Sequence, residues 1–230
     1  MKTVGLVGGI GPESTIVYYR TIISLYRERN PGPAYPRILI NSIDSSEMLG
    51  HLGAGRLDEL TTLLVASIEV LARAGADVAL VAANTPHVVF DALRKQSPLP
   101  LISIVEATCR FATQARLKRL GLLGTRFTME GSFYHDVLGG AGIAVVSPNR
   151  ADRDYVHEKY MTELFNGSVL PATREGLLRV VDRMRESNAI DGLVLGGTEL
   201  SLIFGDLRGL GIPVLDTAKI HASEAVSALS

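Results

Sequence analysis

The sequence predicts an α/β protein with two pseudo-symmetric lobes, each a parallel sheet flanked by helices, and with the ligand site in the cleft between them. Short runs rich in Val, Ile and Leu that end in Gly or Pro alternate with longer helical patterns, as in βα units around a parallel sheet. Three of these runs also recur in the same order at nearly constant spacing. The first observation predicts the class of fold, and the second predicts the duplication.

The recurring runs define the predicted strands. VGLVGG at residues 4–9 resembles LGLLGT at residues 120–125, which lies 116 positions later. DVALVAAN at residues 77–84 resembles DGLVLGGT 114 positions later, and LPLI at residues 99–102 resembles IPVL 113 positions later. A further strand is predicted at residues 38–41. We expect residues 1–100 with 211–230 to form the first lobe and residues 101–210 the second.

Composition excludes several classes of protein. The 23 basic and 24 acidic residues give a net charge of -1, without a long basic run, so neither nucleic acid nor a membrane surface is an expected partner. The apolar stretch before Gly8 is too short for a signal peptide, and we expect a cytoplasmic protein. The single cysteine, Cys109, lies in a helix-like apolar stretch and is predicted to be a buried thiol. The histidines lack metal-ligand spacing, so no metal is expected.

A glycine-rich loop follows the first predicted strand and precedes a helix whose first turn suits Pro12. The backbone N–H groups of Gly9, Ile10 and Gly11 can bind a carboxylate at the start of that helix. A dinucleotide fingerprint would need a third glycine where Ser14 stands. A tight turn without a ligand remains the alternative, because glycine is also needed there for backbone reasons.

Polar residues follow the second pair of repeated strands. Asn84 and Thr85 in the first half correspond in position to the segment that contains Thr198 in the second half, and we expect the two strand ends to face each other and hold a carboxylate. Thr125 and Thr128 follow the second-half counterpart of the glycine loop and can supply hydroxyls to the same ligand. Helix capping is the alternative role for Asn84, Thr85 and Thr198. For Thr128 the alternative is the cap of the helix through Phe133 and Tyr134.

These segments together resemble the cofactor-independent aspartate/glutamate racemase family, and most closely its bacterial branch specific for L-aspartate and L-glutamate. The resemblance covers nearly the whole chain. It implies two α/β lobes, a small amino-acid or carboxylate ligand, no pyridoxal phosphate or other cofactor, and a homodimer. The segments that carry it are GLVGG at 5–9, EST at 13–15, YYR at 18–20, NTPH at 84–87, LLGTRFTME at 122–130, GGTEL at 196–200, DTA at 216–218 and IHA at 220–222.

The resemblance also implies a mechanism, because members of this family place a proton-transferring cysteine before each of the two strand-end motifs. Those positions are Ala83 and Gly197 here. Neither a methyl group nor a hydrogen can transfer a proton, so the two-thiol mechanism is expected to be lost. His87 and Glu199 are the titratable residues within the motifs and are the candidate catalytic groups.

Three functions remain open at this point. The chain can be an amino-acid racemase or epimerase of altered mechanism, because the binding motifs are intact. It can be a lyase, decarboxylase or other isomerase of a small carboxylic acid, since a site lined with donors stabilises an enediolate without two thiols. It can also be a binding protein without catalysis.

Overall fold

The computed structural model describes residues 2–204 and 210–229. The chain divides into two compact units, one formed by Met1–Ile104 with Ala218–Ser230 and the other by Val105–Thr217. Each unit contains a four-stranded parallel sheet. The predicted fold class, two parallel sheets flanked by helices, is confirmed.

The sheet of the first unit has the order β2-β1-β3-β4. Apolar residues on both faces of β1 and β3 are buried, as expected for parallel strands covered by helices on both sides. The elements are β1 (Thr3–Gly8), α1 (Pro12–Arg29), β2 (Arg37–Ser42), α2 (Ser45–Gly53), α3 (Leu57–Arg73), β3 (Val78–Val81), a 3₁₀ turn (Thr85–Val89), α4 (Phe90–Gln96) and β4 (Leu101–Ile102).

The sheet of the second unit has the order β6-β5-β7-β8. Its elements are α5 (Ile104–Gln114), β5 (Arg119–Gly124), α6 (Arg126–Glu130), α7 (Phe133–Gly140), β6 (Ala144–Val146), α8 (Arg150–Thr162), a 3₁₀ turn (Leu164–Asn166), α9 (Pro171–Asn188), β7 (Gly192–Gly196), α10 (Leu200–Phe204) and β8 (Val214–Asp216). The last described helix is α11 (Thr217–Ser227).

The duplication extends to the register of strand pairing. Val4 of β1 pairs with Val78 of β3, and their repeat counterparts Leu120 and Gly192 pair with each other in the second sheet. An aspartate carboxylate also recurs at the start of each sheet, where Asp77 accepts the backbone N–H of Thr3 at 2.6 Å and Asp191 accepts that of Arg119 at 2.9 Å. The two halves therefore share strand order, register and a side-chain contact.

The predicted unit boundaries need correction. We expected residues 211–230 to join the first unit, but β8 pairs with β7 of the second sheet, Leu193 opposite Val214. Likewise β4 lies beyond the predicted boundary at residue 100 and pairs with β3 of the first sheet. In both sheets the fourth strand stays with its own half, because it pairs with the strand that precedes it in the repeat.

The helices that follow the fourth strands are exchanged. From Val105 onward α5 belongs to the second unit, and from Ala218 onward α11 belongs to the first. Ala222 and Val226 of α11 are buried in one apolar cluster with Tyr18 and Ile22 of α1. Each unit is therefore completed by a helix that follows the sheet of the other.

His221 anchors α11 inside the first unit. Its Nε2 lies 2.9 Å from the carbonyl oxygen of Ile102, and its Nδ1 lies 2.8 Å from the hydroxyl of Tyr18. A carbonyl only accepts, so Nε2 donates to Ile102, and Nδ1 forms its hydrogen bond with the Tyr18 hydroxyl. These two hydrogen bonds join α11 to both α1 and β4.

Candidate functional site

The first strand-end cluster consists of residues 9–11 after β1 and residues 83–85 after β3. These two strands are neighbours, with Val7 opposite Val81, so both segments lie at the same carboxyl edge of the first sheet. Ligands of open parallel sheets bind outside this edge. The structure therefore brings together six of the seven residues predicted in the first half, and the seventh, His87, lies in the 3₁₀ turn that follows them.

The backbone conformation at position 9 requires glycine. Its φ angle is +83°, and a Cβ built there would lie 2.8 Å from the backbone nitrogen of Ile43. The N–H of Gly9 donates to the hydroxyl of Thr15 at 2.9 Å. The tight turn predicted as an alternative is thus present, and the Gly9 N–H already has a partner within the chain.

The helix α1 begins without a capping side chain. Gly11 precedes it and has no side chain, and Pro12 occupies its first turn. The helix has 18 residues, and the partial positive charge of its N-terminus lies at the first strand-end cluster. The cap residue has no side-chain oxygen to accept the first N–H groups of the helix. This is a favourable position for an anion.

Asn84 and Thr85 are buried polar residues at the start of the 3₁₀ turn. The side chain of Asn84 makes no capping hydrogen bond to that turn. The capping role considered for Asn84 therefore does not account for this residue.

His87 is held by backbone groups on both sides of its ring. Its Nδ1 lies 3.0 Å from the carbonyl oxygen of Ala83, and its Nε2 accepts the N–H of Ile104 at 3.1 Å. The ring stacks on Phe90 with centroids 4.8 Å apart. Burial, together with repulsion from His221, lowers the pKa of His87 to about 3. His87 is therefore a neutral imidazole that ties the strand end at Ala83 to the first residue of α5.

The second strand-end cluster consists of Thr125, Thr128 and residues 197–199. Gly124 of β5 pairs with Gly196 of β7, so these residues share the carboxyl edge of the second sheet. Thr125 is the cap of the following helix, because its hydroxyl accepts the N–H of Thr128, so the capping alternative considered for Thr128 is wrong. The predicted long helix is instead two short ones, α6 and α7.

Tyr160 of α8 also lies at this cluster, and it was not predicted from the sequence. A Cβ built on Gly197 would lie 2.8 Å from the hydroxyl oxygen and 2.8 Å from Cζ of Tyr160. Tyr160 is 4% exposed, and its side chain fills the space that any larger side chain at position 197 would need. The sequence gives no signal for this contact, because α8 has no counterpart among the repeated segments.

Tyr160 and Glu199 form a buried pair. The Tyr160 hydroxyl donates to Oε2 of Glu199, and the Thr198 hydroxyl donates to the same oxygen at 2.8 Å. Burial, with a further contribution from the Glu199 charge, raises the pKa of Tyr160 well above 10. The Tyr160 phenol is therefore neutral, and Glu199 accepts one hydrogen bond from each of the two hydroxyl groups.

Three remaining features concern the thiol, possible metal ligands and the hydrophobicity of the helices. Cys109 of α5 is half-buried, not buried as predicted, and its Sγ lies 3.7 Å from the carbonyl oxygen of Val137. Within residues 2–204 and 210–229, no group of three or more His, Cys, Asp or Glu side chains is placed to hold a metal ion. In the same part of the chain no helix is long and apolar enough to cross a membrane.

Comparisons with known proteins give a consistent result. The model of the Asp/Glu/hydantoin racemase family matches residues 7–225. The broad specificity amino-acid racemase RacX of Bacillus subtilis is 21% identical over 97% of this chain and 96% of its own. Among solved structures, a Yersinia pestis protein assigned to the Asp/Glu racemases is 35% identical, with a TM-score of 0.89 over 100% of this chain and 99% of that one. An aspartate racemase homologue from Pyrococcus horikoshii is 32% identical, with a TM-score of 0.85 and the same coverage.

Proposed function

This chain belongs to the Asp/Glu/hydantoin racemase family, and from that membership we propose that it binds a small amino or dicarboxylic acid at its strand-end clusters without a two-thiol racemisation. The observation that carries the proposal is the identity of two residues. Ala83 and Gly197 occupy equivalent positions after β3 and β7, which are counterparts in the repeat, where the family resemblance implies cysteines.

The chemistry explains why these positions matter. The α-proton of an amino acid is very weakly acidic, so racemisation needs a base for one face of the α-carbon, an acid for the other, and donors for the developing negative charge. A methyl group at Ala83 and a hydrogen at Gly197 can supply neither base nor acid. We therefore infer that binding and racemisation are separated in this protein.

The groups suited to hold a carboxylate are retained. Asn84 and Thr85 are buried polar residues beside the uncapped start of α1. In the second unit Thr198 is buried next to Glu199. By the same family resemblance we propose that the protein works without pyridoxal phosphate or metal, as a cytoplasmic homodimer.

Calorimetric titration with both enantiomers of aspartate and glutamate, and with succinate and glutarate, tests the binding proposal. We expect at least one of these carboxylates to bind at millimolar concentration or below. Removing one hydrogen bond to a charged group costs about 1.5–3 kcal/mol, so Asn84→Ala is expected to weaken binding about 10- to 150-fold. Asn166→Ala is a matched control, because the Asn166 amide donates only to the carbonyls of Met161 and Thr162.

Chiral chromatography after long incubation tests the catalytic part of the proposal. We expect no interconversion of the enantiomers of aspartate or glutamate by protein free of contaminating racemase. Ready racemisation of either amino acid would contradict the loss of the two-thiol mechanism, and absence of carboxylate binding would contradict the binding site itself.

A further inference from the structure

We propose that Tyr160, acting with Glu199, is the proton carrier that takes the place of the missing thiol at Gly197. This inference rests on the proposed function, because the carrier needs a carboxylic acid bound at the same strand end. It extends that function from binding to the exchange of one proton on the α-carbon.

The geometry at Gly197 carries the inference. The position that the Cβ of a residue at 197 would occupy lies 2.8 Å from the Tyr160 hydroxyl oxygen. The phenol oxygen therefore lies close to the carbon that would bear a sulfur in a family member with a cysteine there. An ionisable oxygen from α8 replaces an ionisable sulfur from the end of β7.

Glu199 makes the phenol able to act as a base. The Tyr160 hydroxyl donates to Oε2 of Glu199, so the carboxylate can take the phenol proton as the phenol oxygen takes the proton from the α-carbon. In this step the α C–H bond breaks and its electron pair stays on the substrate as an enediolate. A new O–H bond forms on Tyr160, and the former phenol proton lies on Glu199, so atoms and charge balance.

The surroundings favour this arrangement of protons. The raised pKa of Tyr160 keeps the phenol protonated both before and after the step. Thr198 donates to the same carboxylate oxygen and holds its orientation. Reversal of the step returns a proton to carbon and restores the carboxylate of Glu199.

A single carrier predicts a distinctive outcome. Ala83, the equivalent residue in the first unit, bears a methyl group and transfers no proton. The proton must therefore return to the face from which it was taken. In D₂O, once the proton held by Tyr160 has exchanged with solvent, one enantiomer of the substrate should acquire deuterium at the α-carbon with retention of configuration, while no opposite enantiomer appears.

Proton NMR in D₂O tests this with L- and D-aspartate and L- and D-glutamate as probes. We expect wash-in of deuterium into one enantiomer by the unaltered protein, and at least a 100-fold slower rate in Tyr160→Phe, since general acid–base groups contribute about 10²–10⁴-fold. Glu199→Gln should slow exchange as well. Calorimetric affinity should change by less than about threefold in Tyr160→Phe, because the ring still fills its space. Tyr155→Phe, on the same helix, is the matched control and should exchange at the unaltered rate.

The outcomes separate this inference from the proposed function. Binding without exchange by the unaltered protein, or exchange that persists in Tyr160→Phe, would overturn the role of Tyr160 and leave the binding proposal standing. Exchange accompanied by racemisation would overturn the single carrier. If none of the four probes binds, the proposed function and this inference both fail.

Discussion

The contact between Gly197 and Tyr160 gives the most direct test of the second strand-end cluster. Replacing Gly197 with alanine places a methyl group 2.8 Å from the hydroxyl oxygen and Cζ of Tyr160. Gly197 is not among the glycines with a left-handed backbone, so alanine meets no backbone strain there. The whole effect of Gly197→Ala should therefore come from overpacking.

The expected magnitude follows from that cause. Overpacking a filled core by a methyl group costs about 1–3 kcal/mol, and in chains of this size each kcal/mol corresponds to a shift of about 2–4 °C in melting temperature. We expect Gly197→Ala to lower the free energy of unfolding by about 1–3 kcal/mol and the melting temperature by about 2–12 °C. Gly197→Cys should cost at least as much, and it would leave the methyl group of Ala83 as the residue at the other cysteine position.

A double-mutant cycle in urea identifies the source of the loss. Tyr160→Ala removes the ring and is destabilising on its own, by about 3–5 kcal/mol. In that background the added cost of Gly197→Ala should fall close to zero, which gives a coupling energy of about 1–3 kcal/mol between the two positions.

Gly50→Ala is the matched control for this cycle. Gly50 lies in α2, and a Cβ there meets nothing within 4 Å. This substitution should raise stability by about 0.4–1 kcal/mol. If Gly197→Ala proved equally harmless in the presence of Tyr160, the phenol would not occupy the space beside Gly197, and the role inferred for Tyr160 would lose its basis.

Three further measurements test other parts of the structure. The pKa of His87 is about 6.5 in the unfolded chain and about 3 in the folded protein. The free energy of unfolding should therefore fall as pH drops through this window, by about 2 kcal/mol between pH 6.5 and pH 5. Urea titrations of His87→Gln should lack this loss. Thr125→Val should lower stability by about 1 kcal/mol through the lost cap, whereas unchanged melting would show that the cap contributes nothing. Tyr18→Phe should accelerate hydrogen exchange of α11, because the buried His221 Nδ1 would lose its hydrogen-bond partner; unaltered protection would contradict that anchor.

The fold could be predicted because the repeated sequence runs are the strands themselves. The matching runs predicted β1, β3 and β4 and their counterparts β5, β7 and β8, since buried parallel strands need continuous apolar residues. Strand β6 was missed, because its three residues, Ala144–Val146, have no counterpart among the matching runs. A short edge strand is determined by its neighbour more than by its own sequence.

The site was predictable only in part for a similar reason. The residues of both strand-end clusters lie within a few positions of a strand, so the parallel topology alone brings each cluster to the carboxyl edge of its own sheet. Tyr160 reaches Gly197 from a helix 37 residues earlier, through packing that no local pattern encodes. The misplaced unit boundaries arise in the same way, because the exchange of α5 and α11 is a tertiary arrangement.

That exchange has a consequence for how the protein is made. The first sheet is complete once β4 has been synthesised, yet the apolar face of α1 that carries Ile22 waits for α11 to cover it. The 113 residues of Val105–Thr217 come between them, which at about 5–20 residues per second takes about 6–23 seconds on the ribosome. The unit that begins first is therefore closed last. The hydrogen bond between Tyr18 and His221, across 203 positions of sequence, forms only after the whole second unit has been synthesised.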